Sequence, residues 1–243
     1  MGKRSARAAR SAAQDSNVCT LSGNSWDPLD PAGQAPRYVR NIQPKSPNQA
    51  RLMNALQSRQ LVLALGPAGT GKTYLAIAAA VEALNANSVE RIVLSRPAVE
   101  AGESIGYLPG EVSDKIAPYM QPLYDALLDR LGGKRLRALM SNGGIEIAPV
   151  GFMRGRTLSR SFVVIDEAQN CTYAQLKMLL TRLGWSSTMV VTGDPEQSDL
   201  LPGVSGLSDV ADRLESLPNI SVVRLEKSDV VRHPLVGEML TVL

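Results

Sequence analysis

The chain is poor in residues that carry several kinds of chemistry. It has two cysteines, Cys19 and Cys171, far apart, and a single histidine, His233. With no C-x-x-C pair and no Cys/His cluster, neither a disulfide framework nor a zinc site is expected, and a reducing, cytoplasmic setting fits. His233 reads as a helix-start residue rather than a catalyst, and Cys171 as a buried thiol at a helix start. No run of about 18 apolar residues occurs, and the basic N-terminus is not followed by an apolar stretch. Neither a membrane span nor a secretory signal is therefore expected. Aromatic residues make up only 4% of the sequence, which leaves little material for stacking on bases.

Net positive charge is confined to the first fifty residues. The net charge is +3, but residues 1–50 hold seven Lys or Arg against three Asp, so the remainder is slightly acidic. The opening MGKRSARAARSAAQ reads as either a solvated arm or a nucleic-acid contact that orders on binding. From about Cys19 to Pro47 the chain is dominated by Gly, Pro, Ser, Asn and Asp and reads as linker. Residues 1–47 are thus expected to be an arm and linker, and residues 48–243 one folded domain.

What is present is concentrated at Gly66–Thr73, GPAGTGKT, preceded by the apolar run Leu61–Leu65. This is a strand, a glycine-rich turn and a helix start, with the spacing of the P-loop that wraps a nucleoside triphosphate. Gly66, Gly69 and Gly71 let the backbone take positive φ and turn its N–H groups toward an anion, with Pro67, Ala68 and Thr70 completing the loop. The helix expected from YLAIAAAVEALN adds its N-terminal amides and macrodipole. Lys72 is then placed for the β- and γ-phosphates, and the Thr73 hydroxyl for Mg²⁺.

Beyond the loop, short apolar strands alternate with helical periodicity. Strands are expected at RIVLS, IEIAPV, FVVID, TMVVTGD and ISVVRL. Helices are expected over Glu111–Leu131, split or kinked by Pro118 and Pro122, over 134–141, TYAQLKMLLTRL and SGLSDVADRLES, with Ser205 as cap, and from Pro234. Several strands are apolar on both faces, which implies a mainly parallel α/β sheet with helices on both faces and ligands at the strands' carboxyl ends.

Asp166 and Glu167 close the strand Phe162–Ile165, in the pattern of a Walker B motif. Asp166 is suited to hold Mg²⁺ through its water shell, and Glu167 to orient or deprotonate an attacking water. Read alone, the pair is equally an acidic helix start. The next strand runs into Gly193–Gln197, GDPEQ, which is either a plain turn or a γ-phosphate sensor through the Gln197 amide.

GPAGTGKT, SRPAVEAGESIGYLPG, APYMQPLYDAL, EIAPVGFMRGRT, VVIDEAQN, KMLLTRLG and TGDPEQSDL together resemble the PhoH family, relatives of the ATPase core of superfamily 1 helicases, from about Asn48 to His233. The resemblance implies a cytoplasmic, Mg²⁺-dependent ATPase on a RecA-like fold that acts with RNA and assembles as a ring such as a hexamer. It also implies roles that spacing alone does not give. Gln49 matches the adenine-reading glutamine of helicase Q motifs, and Arg232 and Arg156 match two family arginines, either of which can serve as an arginine finger. A superfamily 1 helicase closes its site with a second RecA-like domain, for which 243 residues leave no room, so the finger is expected from a neighbouring subunit. The sequence departs from the family after Asp199, where Leu200–Gly203 carries no basic residue, and residues 1–47 lack the acidic cluster of a nuclease.

Three readings follow: an ATPase coupled to RNA or single-stranded DNA, a nucleotide-controlled scaffold, and a P-loop kinase. Glu167 and GDPEQ favour water as the acceptor, and so hydrolysis. Arg96, Arg154 and Arg156 fall near strand ends, where they can line a groove or pair with a neighbouring subunit.

Overall fold

In the computed structural model, residues 42–97, 112–231 and 234–239 are described. The basic arm, the 98–110 part of SRPAVEAGESIGYLPG, Arg232 and His233 lie outside them. Helix α1 (Pro47–Ser58) precedes β1 (Leu61–Leu65) and α2 (Lys72–Asn85). There follow β2 (Arg91–Arg96), α3 (Val112–Leu131), α4 (Gly133–Ser141), β3 (Ile145–Pro149) and β4 (Ser161–Ile165). Helix α5 (Tyr173–Leu180), β5 (Thr188–Gly193), α6 (Leu207–Leu214), β6 (Ile220–Arg224) and α7 (Pro234–Met239) complete the chain.

The strands form one sheet in the order β3-β2-β4-β5-β1-β6, every pair parallel. All residues of β1 and β4 are buried, as expected for strands covered on both faces. Alternation divides them between two cores. Val62, Ala64, Phe162 and Val164 pack with Leu52 of α1, Leu75 and Ile77 of α2, Leu123 of α3 and Leu136 of α4. Leu61, Leu63, Leu65, Val163 and Ile165 pack with Leu176 of α5 and Leu207 of α6 on the other face. Among the described residues no helix is long and apolar enough to cross a membrane.

The structure settles one open sequence expectation and revises another. Of the two forms expected around Pro118 and Pro122, two helices or one kinked helix, the stretch takes the single one, the 20-residue helix α3. Leu123, Leu127 and Leu131, at i, i+4 and i+8, are all buried in the first core, and this packing holds the helix through the second proline. Helix α6 is capped by Gly206, not Ser205. A Cβ at position 206 would lie 2.3 Å from the backbone nitrogen of Tyr173, so the chain enters α6 through a residue without one, while Ser205 bridges to Thr172.

Gly66 is required by close approach as well as by its φ of 137°. A Cβ there would lie 2.2 Å from the carbonyl oxygen of Leu225, a backbone residue whose own N–H donates to Leu65 O at 2.7 Å. Gly66→Ala must therefore push β6 away from β1. The expected cost is about 2 kcal/mol, read as a drop in Tm of roughly 4–8 °C together with weakened nucleotide binding. An unchanged Tm would show that the loop and β6 separate freely.

Candidate functional site

The parallel sheet brings the carboxyl ends of β1, β2, β4 and β5 to one edge of the molecule. There Lys72, Thr73, Asp166, Glu167, Gln169 and Gln197 line a cleft of about 260 Å³.

The loop after β1 is shaped by Gly66, Gly69 and Gly71, with φ of 137°, 84° and 85°. Gly71 is the N-cap of α2 and makes no side-chain cap bond, so the first-turn amides of α2 are left to whatever enters the cleft. Thr70 is fully buried and its hydroxyl donates to Pro67 O at 2.8 Å, tightening the loop around Ala68 and Gly69. Lys72 is 9% exposed, and its ammonium donates to Gly66 O at 2.5 Å and Pro67 O at 2.8 Å. Burial pulls its pKa below the ordinary lysine value against the opposing pull of Asp194, Glu167 and Asp166. A cation of this kind gains most from added negative charge.

Asp166 ends β4 and is 3% exposed. Its Oδ1 accepts from the Thr73 hydroxyl at 2.5 Å and from the Thr192 hydroxyl at 2.6 Å. The sequence marked Thr73 and Asp166 but not Thr192; a threonine two residues before Asp194 was the available signal. These groups are hard oxygen donors, and no cluster of three or more His, Cys, Asp or Glu suited to a metal occurs among the described residues. That set suits Mg²⁺, which keeps its waters and takes few protein ligands, and does not suit an all-protein metal cage.

Glu167 adopts a left-handed backbone, φ 53° and ψ 42°. For a residue with a Cβ this conformation is costly, and such outliers cluster at functional sites. Its carboxylate is contacted from both sides: Arg96 Nη2 lies 3.6 Å from Oε1, and the Gln169 amide donates to Oε2. Arg96 Nη1 also lies 3.7 Å from Asp166 Oδ2. Arg96 is thus turned inward between the two carboxylates, and its charge offsets theirs. Sequence position at a strand end left its direction open; the pairing of β2 with β4 decides it.

Gln197 follows the turn after β5 and reaches the same cleft, its N–H donating to Asp194 O at 3.1 Å. Gln49 is placed differently. It is 4% exposed, its Oε1 accepts from Lys45 N at 2.7 Å and its Nε2 donates to Thr70 O at 3.0 Å, so its carboxamide fastens α1 to the loop. The turn after β6 fastens it again: Val231 N donates to Gly69 O at 2.9 Å, and Asn48 Nδ2 to Asp229 Oδ2 at 2.9 Å. Burial pushes the Asp229 carboxyl up, but bonds from the Glu226 backbone, Ser46 and Asn48 outweigh it and leave it below its usual value.

Arg156 is not in the cleft. It forms a two-pronged pair with Glu146 of β3, at 2.5 and 2.6 Å, which raises its own pKa and lowers that of Glu146. β3 is four places from β1 in the sheet, or about 19 Å at the usual strand spacing. Arg154 is exposed nearby. Cys171 is fully buried, and burial pushes its thiol up to about 12, so it is chemically inert.

Comparison with known proteins gives this geometry a setting. A family model described as PhoH-like protein matches residues 41–243. The chain belongs to the PhoH-like family. The PhoH-like protein of Mycobacterium bovis is 54% identical over 204 residues, covering 84% of this chain and 58% of that protein. The PhoH-like protein of Bacillus subtilis is 51% identical over 202 residues, covering 83% and 63%. Protein PhoH of Escherichia coli K12 is 47% identical over 193 residues, covering 77% and 54%. This PhoH-like chain therefore spans less than two thirds of each of these relatives. Among solved structures, the large terminase of a thermophilic bacteriophage superposes with a TM-score of 0.53 at 14% identity, covering 82% of this chain and 50% of that one. At that identity the likeness concerns the fold, a RecA-like α/β P-loop NTPase core.

Proposed function

We propose that this PhoH-like protein is a Mg²⁺-dependent ATPase that works as a ring, such as a hexamer, and couples turnover to RNA or single-stranded DNA. The observation that carries hydrolysis is the meeting, in one cleft, of a buried cation (Lys72), a hydroxyl bonded to a carboxylate (Thr73 on Asp166), a second carboxylate (Glu167) and an amide (Gln197). Thr73 and Asp166 would hold Mg²⁺, which when bound neutralises charge on the phosphate oxygens. Glu167 accepts the proton of the attacking water as the new oxygen–phosphorus bond forms and the bond to the β-phosphate oxygen breaks. Lys72 faces the β- and γ-phosphates, and Gln197 donates to a γ-oxygen while accepting from the water.

Glu167→Gln keeps the shape of the side chain and removes the base. ATP turnover is expected to fall at least about 10²-fold while nucleotide affinity, measured directly, stays within about threefold. Turnover that survives the substitution would remove Glu167 from the mechanism.

Support for nucleic acid comes from the segment after β3, where Phe152 is 62% exposed and Arg154 also faces solvent. An exposed ring beside a guanidinium suits an unpaired base and its phosphate. ATP turnover measured with and without RNA and single-stranded DNA, at several salt concentrations, is expected to rise with polymer, and the rise to shrink with salt. Absence of stimulation by either polymer returns the protein to a nucleotide-controlled scaffold.

A further inference from the structure

Two motifs contain residues that the reaction does not use: Gln169 and Asn170 after the Asp-Glu pair, and Ser198 and Asp199 after GDPEQ. The structure joins them to each other. Gln169 Oε1 accepts from Asp194 N at 3.0 Å, Gln169 O accepts from the Ser198 hydroxyl at 3.0 Å, and Asn170 and Asp199 exchange two bonds at 2.7 and 2.8 Å. Gln169 and Asn170 are 3% and 8% exposed, and the bond from Asp194 N to Gln169 is fully buried while the other three are partly so.

One detail gives the arrangement a direction. The group facing the Gln169 carboxamide from β5 is a backbone N–H, which can only donate, so the amide oxygen must point to it and the NH₂ must point the other way. That NH₂ meets Glu167 Oε2. The approach is tight: a Cβ at position 193 would lie 2.8 Å from Gln169 Oε1 and 2.6 Å from Leu207 Cδ2, so a side chain at the end of β5 would displace the Gln169 carboxamide. Glu167, in its strained left-handed conformation, is therefore held on the turn that carries Gln197.

We propose that Gln169 is a positioning residue for the hydrolytic reaction. It locks the carboxylate of Glu167 to the β5 turn, so that the base and the phosphate-sensing Gln197 move as one rigid body. The inference rests on the reading of Glu167 as the base. Its expected size follows from the cost of misplacement, since a shift of about 1 Å in a catalytic group costs on the order of 10²-fold in rate.

The test uses the full chain and two substitutions. Gln169→Leu removes both bonds; Gln169→Glu keeps the size and the acceptor for Asp194 N but takes away the donor to Glu167, and guards against a variant that fails to fold. Both are expected to lower kcat by about 10²-fold, with ADP affinity measured by equilibrium titration within about threefold of the parent. In a Glu167→Gln background neither should lower turnover by more than about threefold further, because the carboxylate to be positioned is gone. The proposal is overturned if Gln169→Glu turns over at a rate close to the parent's, if ADP affinity falls in parallel with kcat, or if the full loss persists in the Glu167→Gln background. Survival of turnover in Glu167→Gln alone would instead sink the assignment of the base.

Discussion

Diluted below the concentration at which it assembles, the protein is expected to lose ATP turnover per chain by roughly 10³- to 10⁵-fold, the contribution of an arginine finger supplied in trans. The described residues form one sheet, and the proposed ATP site lies at the carboxyl ends of its strands. Arg156, one of the two finger candidates, sits on the segment after edge strand β3, while the P-loop follows β1 near the opposite edge, beside β6. Opposite edges can meet when copies join head to tail, and such contacts close into rings. Specific activity followed across a dilution series, with sedimentation in parallel, checks this; activity that stays constant while the assembly dissociates refutes it. Mixing gives a second check. A finger variant, Arg156→Ala or Arg232→Ala, combined with Lys72→Ala should regain turnover, because the intact loop of the first then meets the intact arginine of the second. Two inactive partners that stay inactive when mixed under assembling conditions would place the arginine within its own site.

Lys72→Ala alone is expected to lower turnover by at least about 10³-fold and to weaken nucleotide binding with it, since the cation faces charge in both the bound and the reacting states. Stability should move the other way or not at all. Burial lowers the pKa of Lys72, so the unfolded chain binds the proton more readily between the lowered value and the ordinary one near 10.5. Across that alkaline window the parent gains stability as pH rises, and below it the buried charge is a standing cost. The alanine variant should lack the alkaline gain and show a Tm at neutral pH equal to or above that of the parent. A large drop in Tm would mean that the bonds to Gly66 O and Pro67 O hold the loop together, and that the lost turnover reflects unfolding.

Much of the site is legible along the chain because it is built from contiguous pieces. An apolar run ending in GPAGTGKT must become a strand, a tight glycine turn and a helix, and this fixes Lys72 and Thr73 at the helix start without reference to anything distant. The run Phe162–Ile165 likewise delivers Asp166 and Glu167 to a strand end. Two-sided apolar strands alternating with helices require a parallel sheet covered on both faces. Where local signals left a choice or failed, a distant contact decided: the leucine stripe of α3 keeps it one helix across the proline at 122, and the backbone of Tyr173 overrides a serine cap at 205.

The partners of those catalytic candidates are a different matter. Arg96 and Thr192 reach Asp166 or Glu167, and Asp194 N turns the neighbouring Gln169 amide toward Glu167, because β4 lies between β2 and β5, and nothing in the periodicity of any one segment specifies that order. Gln49 reaches Thr70 across 21 residues of sequence, and Asn48 reaches Asp229 across 181. By itself the sequence determined the parallel α/β class, the phosphate loop and the strand-end carboxylates, since each follows from the conformational preferences of adjacent residues. Strand order is a choice among long-range pairings with similar local energies. Only the tertiary structure decided which buried amide and which guanidinium would face Glu167.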